Sequence, residues 1–474
     1  MRGLPALAAS ASQRTRRWDA VVLGGALPGL IAAVRLGMRG ERVLVLEEDA
    51  ALAAFPGLRE PFLMTGGDGD GVLAACLRAL GVPLIDRRRL APDACAYQIV
   101  YPGARLDVGD PVSTIEELVA WKVAAPEAAH ELVRALADAA AAEREAMLLA
   151  PVVRSTRRLP LGQRRSPAGP PRPEAIRHPR GLPAAVASAP VTLAALFAAQ
   201  VRALSNLGAS APSPEARARL LGLALESTAL LAPGEGGLRG LLRRRIESLY
   251  GEFRSVSGAF RLIAAAQQPG IELGGSGEIL VGRALVLNAP RDALACAIGE
   301  DPVPEPLRVA PATRRRLSLH FRLRPDALPA GMAPRVIVVR EMKQPMDATN
   351  VITLRVFTPP RPRDPADLVA AAVVPSEGFD PEVAEAEITA AVSELLPFAQ
   401  RSLQRVRCRA PRWDVEDLLA DPSPGGGWPG ESEVRLACRQ PIYALERCGV
   451  ASLGFDGDLL LGWRAGDAIA ADLA

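Results

Sequence analysis

The residues whose types and spacing best suit chemistry are glycines near the start of the chain. In the run DAVVLGGALPGL, Gly24, Gly25 and Gly29 stand between a β-branched apolar stretch and a segment with Leu30, Ala33, Val34 and Met38 at helical spacing. A turn from a buried strand into a helix gathers unpaired backbone N–H groups and the positive end of the helix dipole, which suits a bound phosphate. Gly24 fits the tight turn and Gly29 the close packing of helix on strand. The position where backbone comes nearest a diphosphate is Ala26, with Gly25 beside it. A second strand, ERVLVLEE, ends in acid. Its Glu47 comes 23 residues after Gly24, where a carboxylate accepts hydrogen bonds from ribose hydroxyls and repels a 2′-phosphate.

Little else in the sequence declares a reactive group. There is no GxSxG elbow and no histidine poised beside an acid for catalysis, so no catalytic residue is read. His130, His178 and His320 are far apart and the six cysteines form no CxxC pair, which gives neither a metal site nor a disulfide framework. All but two of the 56 basic residues are arginine. The exceptions, Lys122 and Lys343, do not follow glycine, which excludes a phosphate-cradling GxxxxGK[ST] loop. A net charge of +3 gives no global reason to expect nucleic acid.

The elements that position the glycine turn are legible in outline. The 474 residues make two or three domain-sized units, and 49% apolar with 23% charged residues is an ordinary globular balance. Residues 1–17 read as a flexible tail. Residues 112–150 read as helices, with Thr114 and Glu117 in capping-box spacing. Residues 152–182 form a basic, proline-rich loop with eight arginines against one acid, leading into an uncharged, alanine-rich segment. A solvated linker is the plainer reading of that loop, and contact with an anionic membrane surface the other. It lacks interleaved aromatics for base stacking, so no nucleic-acid partner is expected. From 314 to 357, RLSLHFRLR, RVIVVRE and NVITLRVF alternate as antiparallel strands with one wet face do. The helix that follows carries Val383, Ile388, Val392 and Leu395 along one face and is expected to cover that sheet. No stretch reads as membrane-spanning, and a cytoplasmic, reducing location is expected.

DAVVLGGALPGLIAAVRLGMRGERVLVLEE resembles the opening of FAD-dependent oxidoreductases of the phytoene desaturase and flavin amine oxidase type. The likeness recurs at 230–254, LLAPGEGGLRGLLRRRIESLYGEFR, similar to the family's glycine turn and helix before a returning strand. The meander after it, with turns at Pro269-Gly270 and Gly274 to Gly277, is similar to the family's lid over the adenine, and Val256 or Ala259 supplies its aliphatic contact. The likeness appears a third time in GFDGDLLLGWRAGDAIAADLA, similar to the final helix whose N-terminal amides face the flavin. Two motifs differ from the family pattern: Arg59 is the nearest arginine to the expected GGR segment, and Glu446 stands where a Gly-Asp pair is usual.

The resemblance implies an α/β protein with a discontinuous Rossmann-type FAD-binding domain (18–75, 230–300 and 446–474). An inserted α+β substrate domain (76–229 and 301–445) would carry the antiparallel sheet as the floor of its pocket. It implies FAD as cofactor, held by Gly24, Gly25, Ala26, Gly29, Glu47, Gly454, Phe455, Asp456 and Gly457. It implies a small-molecule substrate, apolar or amine-bearing, dehydrogenated by hydride transfer, with Lys343 as a candidate to hold a water. Two other readings remain: a non-catalytic scaffold that keeps the fold, and a nicotinamide-dependent dehydrogenase.

Overall fold

Alternating short apolar strands and helices at both ends of the chain build one sheet, and the alternating strands of the middle build another. The computed structural model describes Leu4 and residues 15–149, 152–153 and 190–474, except 68, 70, 209–210, 232–236, 266, 299–302, 360, 362, 417 and 421–432. The basic loop therefore lies almost wholly outside the described residues.

The first sheet starts with β1 (Thr15–Leu23), passes through helix α1 (Leu27–Met38) and returns as β2 (Val43–Glu48). Its parallel core has the spatial order Glu252–Val256, β2, β1, Ile279–Leu287, with Ile442–Ala444 beside the end of the last. The antiparallel pair Phe260–Ala265 and Gln268–Leu273 extends its other half. Residues 20–23 and 43–48 are buried throughout, the unbroken apolar pattern of strands covered on both faces. One cover is α1, itself packed under the terminal helix Gly454–Leu473, so Leu30, Ile31, Val34, Leu460, Leu461 and Ile469 form one core with the sheet. β1, β2 and the returning strand all end at one edge, the place where open α/β sheets bind ligands.

The second sheet has the order Gln404–Val406, Arg314–Leu323, Ala366–Pro375, Ala348–Phe357, Arg335–Val339, Cys95–Tyr101, Ala104–Gly109. All its pairings are antiparallel except that of Arg335–Val339 with Cys95–Tyr101. Helix Pro381–Leu395 covers one face through Ala384, Ile388, Ala391 and Val392, while Val383 is exposed.

Several local expectations are corrected. Arg335–Val339 has no wet face: all five of its residues are buried, Val336 and Val338 on the side of Ile388 and Ile337 and Val339 against Leu196 and Leu223. Strand Ala366–Pro375, buried at nearly every position, shows no alternation for the same reason. Thr15–Arg17 belong to β1 rather than to a tail, and Leu4 is buried, its amide donating to Gln440 Oε1 at 3.2 Å. The helix Pro111–Ala120 is capped by Asp110, which accepts from the Val112 and Ser113 amides, and Thr114 lies inside it. Pro269-Gly270 sits within a strand, and the turn falls earlier, at Gln267 with φ 70°. The first sheet also reaches back to Ile442–Ala444, before residue 446, because those residues pair in parallel with Leu285–Leu287.

Candidate functional site: a crevice filled by the chain itself

The glycine turn forms as its sequence predicts, and its polar groups are already taken. The Gly29 amide donates to Asn288 Oδ1 at 2.8 Å, and Asn288 Nδ2 donates to the Gly24 and Ala26 carbonyls at 2.7 and 2.9 Å. A side chain at Gly29 would collide with Asn288, so the glycine serves this lock. The Gly25 amide, aimed into the crevice where a phosphate would be sought, donates instead to Asp414 Oδ1 at 2.9 Å.

Asp414 arrives on a short segment from late in the chain, Arg412–Glu416. Glu48 anchors it, accepting from the Arg412, Trp413 and Asp414 amides at 2.8, 2.9 and 3.2 Å. The Trp413 ring is 2% exposed and stands edge-on to Phe260 at 5.3 Å between centroids. It packs with Leu44, Leu46, Val256 and Leu262; of the two aliphatic candidates, Val256 is buried in this cluster and Ala259 is exposed. Arg59 bridges the segment's acids, donating to Asp414 at 2.7 Å and approaching Glu416 at 2.6 Å. Arg239, from helix Gly237–Ser248, donates to Glu416 at 2.5 Å and also to the Gly25 carbonyl. Burial alone would raise the Glu416 carboxyl, but Arg239, Arg59 and Arg447 hold it below its ordinary value. Glu47 is buried and paired with Arg243.

These contacts test whether an adenine dinucleotide fits. Two carboxylates held by two arginines lie against the glycine turn, an indole lies in the apolar lid, and the acid at the end of β2 is spent on an arginine. A diphosphate there would meet Asp414 and Glu416 as like charges, and an adenine would meet Trp413. FAD does not fit this crevice while Arg412–Glu416 is in place, and the same holds for a nicotinamide dinucleotide.

The residues that open the final helix are engaged within the chain. Asp456 points away from the crevice into a buried pair with Arg219 at 2.5 Å; burial pushes its carboxyl up, against the pull of Arg219. Gly454, at φ +57°, packs on the Leu204 carbonyl, and Gly457 packs on Val450. Phe455 alone of this group borders a cavity. Lys343 is exposed and lies apart from it.

That cavity is a chamber of about 520 Å³ between the first domain and the second sheet. Its walls include Leu58, Phe62, Leu223, Leu319 and Phe455, and Asp414 to Glu416 form one side. A second hollow of about 390 Å³ lies across that segment, by Ala26, Asn288 and the Arg291–Glu446 pair. Val415, Glu416 and Arg447 line both, so the segment is the partition between them. No cluster of metal-binding side chains occurs among the described residues.

No protein-family profile matches the chain, and no curated protein matches it in sequence. Solved structures do match. An oxidoreductase from Methanosarcina mazei superposes with a TM-score of 0.55 at 13% identity, covering 95% of this chain and 100% of that one. Putrescine oxidase bound to putrescine gives 0.51 at 15% identity, covering 96% and 100%. The chain has the amine oxidase fold. The resemblance read from the glycine turn thus holds over the whole length at the level of architecture.

Sequence reasoning missed Glu48, Arg239, Asn288, Trp413, Asp414 and Glu416. Only Asn288 had a local signal, as the polar residue ending the strand ALVLNAP beside the turn.

Proposed function

We propose that this chain is a binding protein, not a redox catalyst. On this reading it keeps the amine oxidase fold, closes the dinucleotide crevice with Arg412–Glu416, and leaves the chamber for a small-molecule ligand. The observation that carries the reading is the Asp414 carboxylate on the Gly25 amide at 2.9 Å. That N–H lies in the glycine turn, at the mouth of α1, and a cofactor phosphate would have to win it from an acid that is 1% exposed and paired with Arg59. Net positive charge from Arg59 and Arg239 would favour a diphosphate, but Asp414 and Glu416 already neutralise it.

Flavin content tests this. Full-length protein expressed in flavin-replete cells is expected to be colourless, and FAD added to it is expected to keep its free fluorescence. Co-purified flavin, or saturable quenching of added FAD, would overturn the proposal.

The second reading is an FAD-dependent oxidoreductase in which the dinucleotide expels Arg412–Glu416. It is favoured by the hollow at Ala26 and by the fold match over the whole of putrescine oxidase. The two readings separate in one experiment, because only the second requires residues 412–416 to become accessible to protease when FAD is added.

A further inference from the structure

The chamber's charge is as informative as its shape. Eight arginines line it against five carboxylates. Four of the five acids are matched on the spot: Asp414 and Glu416 by Arg59, Asp458 by Arg447 at 2.7 Å, and Glu385 by Arg405 at 2.7 Å. The fifth, Glu60, spends its oxygens on the Leu238 and Arg239 amides at 2.9 and 3.2 Å.

Arg355 is left without such a match. It rises from the second sheet and donates only to backbone carbonyls, those of Glu60, Pro61 and Leu58. No carboxylate among the described residues comes within ion-pair distance of it, although Glu60 and Arg316 both lie near enough to bias its charge. Burial, the largest influence, lowers its guanidinium to about 10, so at neutral pH it remains a cation in a poorly solvated wall. His320 borders the same chamber at 4% exposure. Its Nε2 meets Asp367 at 2.6 Å, its ring stacks on Phe55, and its Nδ1 has no partner. A cation short of a counter-charge and an unmet ring nitrogen, surrounded by leucine and phenylalanine, form a polar anchor in an apolar pocket.

We propose that the chamber binds a carboxylate with an apolar body, the carboxylate taken by Arg355 and the body by Leu58, Phe62, Leu223 and Phe455. The inference rests on the closed-crevice reading, because Asp414 to Glu416 form one wall of this chamber. It also sets the chain apart from putrescine oxidase, whose bound molecule is a cationic diamine that the Arg355 guanidinium would repel.

The test is calorimetric titration of the full chain at neutral pH and low salt with decanoate, decylamine and decanol, three probes of equal chain length. Decanoate is expected to bind at least ten times more tightly than either of the others. Arg355→Met is expected to lower decanoate affinity at least tenfold and leave decanol unchanged, with Arg355→Lys recovering part of the loss. Decylamine binding as well as decanoate, or an unchanged decanoate affinity in folded Arg355→Met, would overturn the proposal. Should Arg355→Met not fold, the ranking of the three probes on the wild-type chain decides alone. FAD titration of the same sample keeps the two readings apart: flavin binding with decanoate preference overturns only the closed crevice, and absence of both overturns only the carboxylate site.

Discussion

The crevice at the end of β1 and the chamber beside it are built from the same side chain, arginine, and reach opposite results. In the crevice, Arg59 and Arg239 each face a carboxylate of Asp414 or Glu416, and the indole of Trp413 fills the apolar remainder. In the chamber, the guanidinium of Arg355 donates only to carbonyls and lies over the Phe357 ring, with no carboxylate paired to it, beside a cavity of about 520 Å³. A site whose charges are matched from within has become part of the folded core. A site whose charge is left over is prepared for something from outside.

The largest effects expected from breaking this contrast lie in the crevice. Asp414→Ala strands the Gly25 and Glu48 amides and leaves the Arg59 guanidinium with Glu416 alone, and a loss of about 3–5 kcal/mol is expected in urea unfolding. A loss below about 1 kcal/mol would mean that the segment does not hold the crevice shut. Arg59→Met is expected to cost a similar amount, since it leaves the buried Asp414 without a cation and Glu416 with one fewer.

Glu416→Gln comes next, at about 1.5–3 kcal/mol for charge-assisted hydrogen bonds. The Glu416 carboxyl is held low in the folded protein, so its contribution is complete above the ordinary glutamate value of about 4.3 and is lost as pH falls through the depressed one. Wild type and Glu416→Gln should therefore differ in melting temperature at neutral pH and converge in acid. A gap independent of pH would remove the electrostatic account.

Arg355→Met sharpens the contrast from the other side. Removal of the guanidinium leaves no carboxylate unpaired, so a change under about 1 kcal/mol is expected against the several of Arg59→Met. The smallest effect belongs to Ala26→Gly. It removes a methyl at the helix N-cap and is expected to shift stability by under about 1 kcal/mol without conferring flavin binding. Glu47→Ala likewise should not alter flavin content, because its partner is Arg243 rather than a ribose.

Legibility followed sequence distance. β1, α1 and β2 were readable because strand and helix periods, glycine placement and the terminal acid all lie within one short stretch. The antiparallel strands of 314–357 were readable for the same reason, and their neighbour Ala366–Pro375 was not, because burial on both faces erases alternation. In the terminal helix the sequence located the element, while Asp456 turned to Arg219, a partner 237 positions away.

By itself, then, the sequence determined the glycine turn and the architecture that carries it, since both arise from local backbone preference and hydrophobic pattern. What occupies that turn was decided only in three dimensions. Asp414 lies 389 positions from Gly25, and nothing in PRWDVED marks it as a crevice filler until Glu48 grips its amides and Phe260 receives its indole. A charge finds its counter-charge through space rather than along the chain. The chamber is cationic for the same reason: the chain folded the acids that could have neutralised Arg355 against other partners.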